Sequence, residues 1–106
     1  MDIETLLTGT KWEILKLLAE KKLSPLEIAK KLNTTIANIS QQIRLLQTAG
    51  LVKKEKTSAV KAGKPRTLFS ISHDYAMVIV FSDGFAQKKL IKLTKEQKAQ
   101  LKRLLE

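Results

Sequence analysis

Cysteine is absent from the 106 residues, and histidine occurs once, as His73. A chain so equipped builds no disulfide framework, carries no thiolate nucleophile and offers no sulfur-ligated zinc site, while one imidazole makes no cluster of metal ligands. Neither a metal nor another cofactor is therefore expected, and His73, next to Asp74, reads as a structural or solvent-facing residue. One His and scattered carboxylates do not assemble into nucleophile, base and orienting group, so enzymatic activity is not expected. Long apolar runs are missing too: the longest, residues 76–81, falls far short of the ~20 residues of a membrane span. Asp2 and Glu4 stand where a secretory leader would carry basic residues. Together these absences predict a reducing, soluble setting without a membrane partner.

Acid is scarce. Lys and Arg number 20 against 10 Asp and Glu, a net charge of +10 that calls for a polyanion, nucleic acid first and an anionic membrane second. The hydrophobic content of 43% is ample for one globular domain of 106 residues and too little for two cores. Positive charge comes in blocks. Lys53, Lys54, Lys56, Lys61, Lys64 and Arg66 are opposed by Glu55 alone, and residues 88–106 carry seven cations against Glu96 and Glu106.

Along the chain, Thr10 and Glu13 have capping-box spacing before Ile14, Leu15, Leu17 and Leu18, predicting a helix over residues 11–20. Trp12 reads as core or interface packing. Ser24-Pro25-Leu26-Glu27 combines a cap, a proline suited to the first helical position and a glutamate that can reach back, so a short second helix begins there and ends at Asn33. Thr35 can cap a third helix, with Ile39, Ile43 and Leu46 inward, Gly50 stopping it, and Ala37, Asn38, Gln41, Gln42 and Arg44 expected to project outward. Residues 51–56 and 67–72 read as strands flanking a polar, basic loop over 57–66, broken by Gly63 and Pro65. Residues 75–81 and 85–93 read as two further strands across Ser82-Asp83-Gly84. Thr94 and Gln97 form another capping box opening a last helix.

That order resembles the winged helix-turn-helix. Residues 23–52, LSPLEIAKKLNTTIANISQQIRLLQTAGLV, are similar to the core of ArsR-like and MarR-like transcriptional regulators, particularly small archaeal ones, with Leu26, Ile28, Ala29, Leu32, Ile39, Ile43, Leu46 and Gly50-Leu51-Val52 on the pattern. The expected fold is α+β and mainly helical: a three-helix core plus basic hairpin wing over about residues 10–72, and an extra hairpin and helix over 73–106, all in one domain. The resemblance implies a third helix in the major groove of double-stranded DNA and a wing on phosphates or the minor groove. The residues suit those roles. Asn38, Gln41 and Gln42 carry amides that match adenine edges, and Arg44 reaches guanine or phosphate. Thr35, Ala37 and Ser40 lie where the helix start meets phosphate, and Lys61, Lys64 and Arg66 are long cations on the wing. Metal sensing, which ArsR members perform with cysteines or clustered histidines, does not carry over.

A lone winged helix covers few base pairs, so a homodimer is expected, paired through Ile3, Leu6 and Leu7 before the first helix, Met77, Ile79 and Phe81 in the third strand, and Leu101, Leu104 and Leu105 in the last helix. The function expected is a sequence-specific transcriptional regulator, cytoplasmic and nucleoid-associated. An architectural binder using charge alone, or a winged helix turned to protein or RNA, are the alternatives, and the amides of the third helix favour the first reading. No residue pattern names a small-molecule effector.

Overall fold

The computed structural model describes residue 5, residues 7–61 and residues 64–106, with the side chains of 56–65 left aside. The elements in order are α1 (Gly9–Glu20), α2 (Pro25–Lys31), α3 (Ile36–Thr48), β1 (Val52–Lys61), β2 (Lys64–Ile71), β3 (Tyr75–Ser82), β4 (Phe85–Lys92) and α4 (Lys95–Leu105). By their contacts they divide into two compact units, Met1–Ser72 and His73–Glu106. Among the described residues no helix is long and apolar enough to cross a membrane.

In the first unit, Ile14, Leu15 and Leu18 of α1, Ile28 and Ala29 of α2, and Ile39, Ile43 and Leu46 of α3 are buried together with Leu23, Leu51, Val52 and Phe69. The i, i+4, i+7 spacing on α3 places one stripe inward, and each such Leu or Ile contributes about 1.5–3 kcal/mol by leaving water. Trp12 is 45% exposed and so lies outside this core, which sets aside the first of the two placements expected for it, core or interface.

Local chemistry sets the helix ends. Ser24 Oγ accepts from the Glu27 backbone N–H at 3.2 Å while Glu27 Oε1 accepts from the Ser24 N–H at 3.1 Å, a closed capping box with Pro25 behind it. Asn33 takes φ 55°, the left-handed geometry that turns the chain from α2 toward α3, and asparagine tolerates it. Thr35 Oγ1 then accepts from the Asn38 N–H at 3.1 Å to start α3. The start of α1 corrects the sequence reading. The helix begins at Gly9, with φ 60°, so Thr10 lies inside it and makes no box with Glu13. Glu13 pairs with Lys16 at 3.1 Å, and the Thr8 hydroxyl donates to the Thr5 carbonyl at 3.2 Å. Ile3 and Leu6 lie outside the described residues; Leu7 is half-buried.

The wing is longer than the sequence suggested. The polar stretch 57–66 is largely strand, because β1 runs to Lys61 and β2 starts at Lys64, paired antiparallel from Val52↔Ile71 to Lys61↔Lys64. A two-stranded ribbon has only edges, so Pro65 costs no obligatory ladder bond there, and a register shift between Lys56 and Val60 absorbs the extra residues. Leu23 and Phe69 exchange backbone hydrogen bonds of 3.2 and 2.8 Å, a bridge that fixes the wing's base to the segment before α2.

In the second unit, β3 and β4 pair from Tyr75↔Lys92 to Ser82↔Phe85 across Asp83 and Gly84, whose φ of 104° suits glycine alone. Thr94 and Gln97 cap α4 reciprocally, at 2.9 and 3.1 Å. Lys98 lies 3.5 Å from Asp74 and the Leu93 N–H donates to the Asp74 carbonyl, closing the unit around its first residues. His73 is exposed, its ring edge-on to Tyr75 at 5.9 Å.

Candidate nucleic-acid interface

Opposite its buried stripe, α3 turns Ala37, Gln41, Arg44 and Thr48 outward at i, i+4, i+7 and i+11, all of them exposed. Residues 36–48 hold no acid, and Arg44 is their one cation. The Thr48 hydroxyl turns back to the Arg44 carbonyl at 2.9 Å, so the free groups of this row are the Gln41 amide and the Arg44 guanidinium, one turn apart. Thr35 is exposed at the helix start and Ser40 is half-buried.

Asn38 and Gln42 lie elsewhere. Both were expected on the outward face, yet both are half-buried, because at 3.6 residues per turn they fall on the flank between the outward row and the core. Asn38 Nδ2 donates to Thr34 Oγ1 at 3.1 Å and Gln42 Nε2 donates to Asn38 Oδ1 at 3.4 Å. This chain braces the turn between α2 and α3. Gln42 Oε1 is buried with no hydrogen-bond partner among the described residues.

The wing's cations divide similarly. Lys61 and Lys64 face each other as backbone partners near the ribbon's end, their side chains outside the described set. Arg66, expected as a loop cation, lies within β2, and its Nη2 binds Glu27 Oε1 of α2. The capping glutamate therefore holds two partners at once. The Ser24 backbone N–H, its hydroxyl and Arg66 together hold the Glu27 carboxyl below the usual range against a partial desolvation cost.

A second carboxylate works at the wing's other strand. Glu55 pairs with Lys22, from the segment after α1, lies 3.7 Å from Lys53 and accepts from the Ser70 hydroxyl at 2.9 Å. Lys22, then Ser70, lower its pKa. Neither clamp was foreseen from the residues, although one signal was present: Glu27 is the only acid between Lys21 and Lys54, and capping alone was taken to explain it.

Residues 8–54 match the family model described as bacterial regulatory protein, arsR family. That span takes in α1, α2, α3 and the start of β1. A solved structure described as "Structure of Prokaryotic Transcription Factors" superposes with a TM-score of 0.49 at 20% identity, over 93% of this chain and 80% of that one. No curated protein matches the chain.

Proposed function

We propose that this chain, a DNA-binding transcriptional regulator whose residues 8–54 form an ArsR-type helix-turn-helix, works as a homodimer that reads base sequence through the outward row of α3 and grips phosphates with the wing. The observation that carries this reading is the acid-free α3 with Gln41 and Arg44 exposed together on the face away from the core. Glutamine pairs bidentately with adenine and arginine with guanine in the major groove, chemistry that a surface binding by charge alone does not require. Thr35, Ala37 and Ser40 lie near the helix start, where free backbone amides favour a phosphate. Asn38 and Gln42 support the reading as braces of α3, their amides being partly engaged within the protein. Lys61 and Lys64 supply the wing's phosphate contacts, and Arg66 joins them when it leaves Glu27.

Pairing two copies would double the sequence read, and half-sites about 34 Å apart would match two copies related by a two-fold axis. Ile79 and Phe81 of β3 are exposed apolar side chains available for it. Selection of bound sequences from random duplex DNA tests the reading. A recovered motif with two-fold symmetry is expected; uniform recovery of all sequences would show an architectural binder instead.

A further inference from the structure

Four strands make up the two hairpins, and three of them are guarded against pairing with anything else. β1 carries Lys53, Lys54, Lys56 and Lys61, and β2 carries Lys64, Pro65 and Arg66 beside a register shift. β4 carries Lys88, Lys89 and Lys92. Charge, proline and bulges are the usual means of blunting a strand that has an open edge. β3, YAMVIVFS, has none of them: no charge, no proline, no glycine and an unshifted register. Among the described residues it pairs with β4 and with no other strand.

Which groups β3 leaves open follows from the turn. Ser82 and Phe85 flank a two-residue turn and therefore exchange backbone hydrogen bonds, and alternation along the ladder assigns Val80, Val78 and Ala76 to β4 as well. Met77, Ile79 and Phe81 then direct their N–H and C=O groups to the open edge. Their side chains share one face of the sheet, where Ile79 is 57% and Phe81 83% exposed.

We infer that the open edge of β3 pairs antiparallel with β3 of a second copy, joining two hairpins into one four-stranded sheet; this rests on the homodimer reading and supplies its contact. Charge selects the occupant. Two copies of a chain of net charge +10 repel wherever lysines face each other, as they would along β4 or along α4 with its exposed Lys95, Lys98, Lys102 and Arg103. At β3 no cation faces a cation. A two-fold axis through Val78 places Val78 opposite Val78 of the other copy, with Met77 opposite Ile79, so that the open groups of both residues are bonded. A shift by one residue would set open groups against groups already bonded to β4.

The absence of cysteine makes the test clean. Across a non-hydrogen-bonded antiparallel pair the Cα atoms lie about 4.5 Å apart, within disulfide reach. Val78→Cys under mild oxidation at micromolar concentration should convert most of the chain to a species of twice 11.9 kDa, while Leu105→Cys, on an 83% exposed residue of α4, stays largely monomeric. Cross-linking of Leu105→Cys as fast as Val78→Cys would overturn the inference. Ile79→Pro removes one open-edge N–H and leaves the ladder to β4 intact, so it should sediment as a monomer with its strand circular dichroism retained; a stable dimer would also overturn it. Wild-type sedimentation separates the two readings. A wild-type dimer that Val78→Cys fails to trap sinks the strand pairing alone, whereas a wild-type monomer ends the homodimer too.

Discussion

Glu27 performs two tasks that a single substitution separates. Glutamine keeps the capping hydrogen bond, since the box accepts either residue, but loses the charge that holds Arg66. Glu27→Gln is expected to cost under about 1 kcal/mol of stability, the pair being half-exposed. It should also steepen the salt dependence of DNA binding by about 0.9 in log-log slope, one more phosphate contact; an unchanged slope in titrations across salt concentration would show Arg66 stays off the DNA. On α3, Gln41→Ala should relax base preference at one position by about 1–3 kcal/mol of discrimination with folding intact. Gln42→Leu gives up the long 3.4 Å bond to Asn38 but removes a buried carbonyl oxygen that has no partner among the described residues, and because such an unmet group costs about 1–3 kcal/mol against about 1 kcal/mol for an ordinary hydrogen bond, the thermal midpoint should rise. The sequence showed which residues of α3 were polar. It did not separate the outward amide of Gln41 from the flanking amides of Asn38 and Gln42, since that distinction depends on what packs beside the helix.

Among the elements, α2 and the wing depend on carboxylates. Ser24→Ala opens the capping box and should destabilise the protein by about 1 kcal/mol, read by thermal or urea unfolding. Glu27 and Glu55 are both held below the ordinary glutamate range in the folded protein. Their contribution is present above that range and fades as pH falls through it and below. The thermal midpoint should therefore drop on acidification, and drop less in the Glu27→Gln, Glu55→Gln double variant. The elements themselves were largely legible, because Ser24-Pro25-Leu26-Glu27, Thr35 and Thr94 each carry their cap in the local sequence. The wing was less so. Gly63 and Pro65 read as breakers, and only the pairing of β1 with β2 turns that stretch into ribbon. The bridge from Leu23 to Phe69 joins residues far apart in sequence, which no local pattern reports.

For the molecule as a whole, a net charge of +10 predicts steep salt dependence, and Lys61→Ala with Lys64→Ala should flatten it for all sequences alike. The core residues all lie before Ser72, and none of residues 73–106 is buried. If β3 joins two copies, the order of that second unit rises with protein concentration by mass action. Lys88, Lys89, Lys92, Lys95, Lys98, Lys102 and Arg103 are all exposed, so this unit offers trypsin-like proteases seven sites on backbone that opens easily when unpaired. Dilution thus exposes the C-terminal third to cleavage. On the dimer proposed above, what survives would be a trimmed winged helix able to occupy a half-site but not to recruit a mate, so that turnover would convert scarce regulator into its own competitor for DNA.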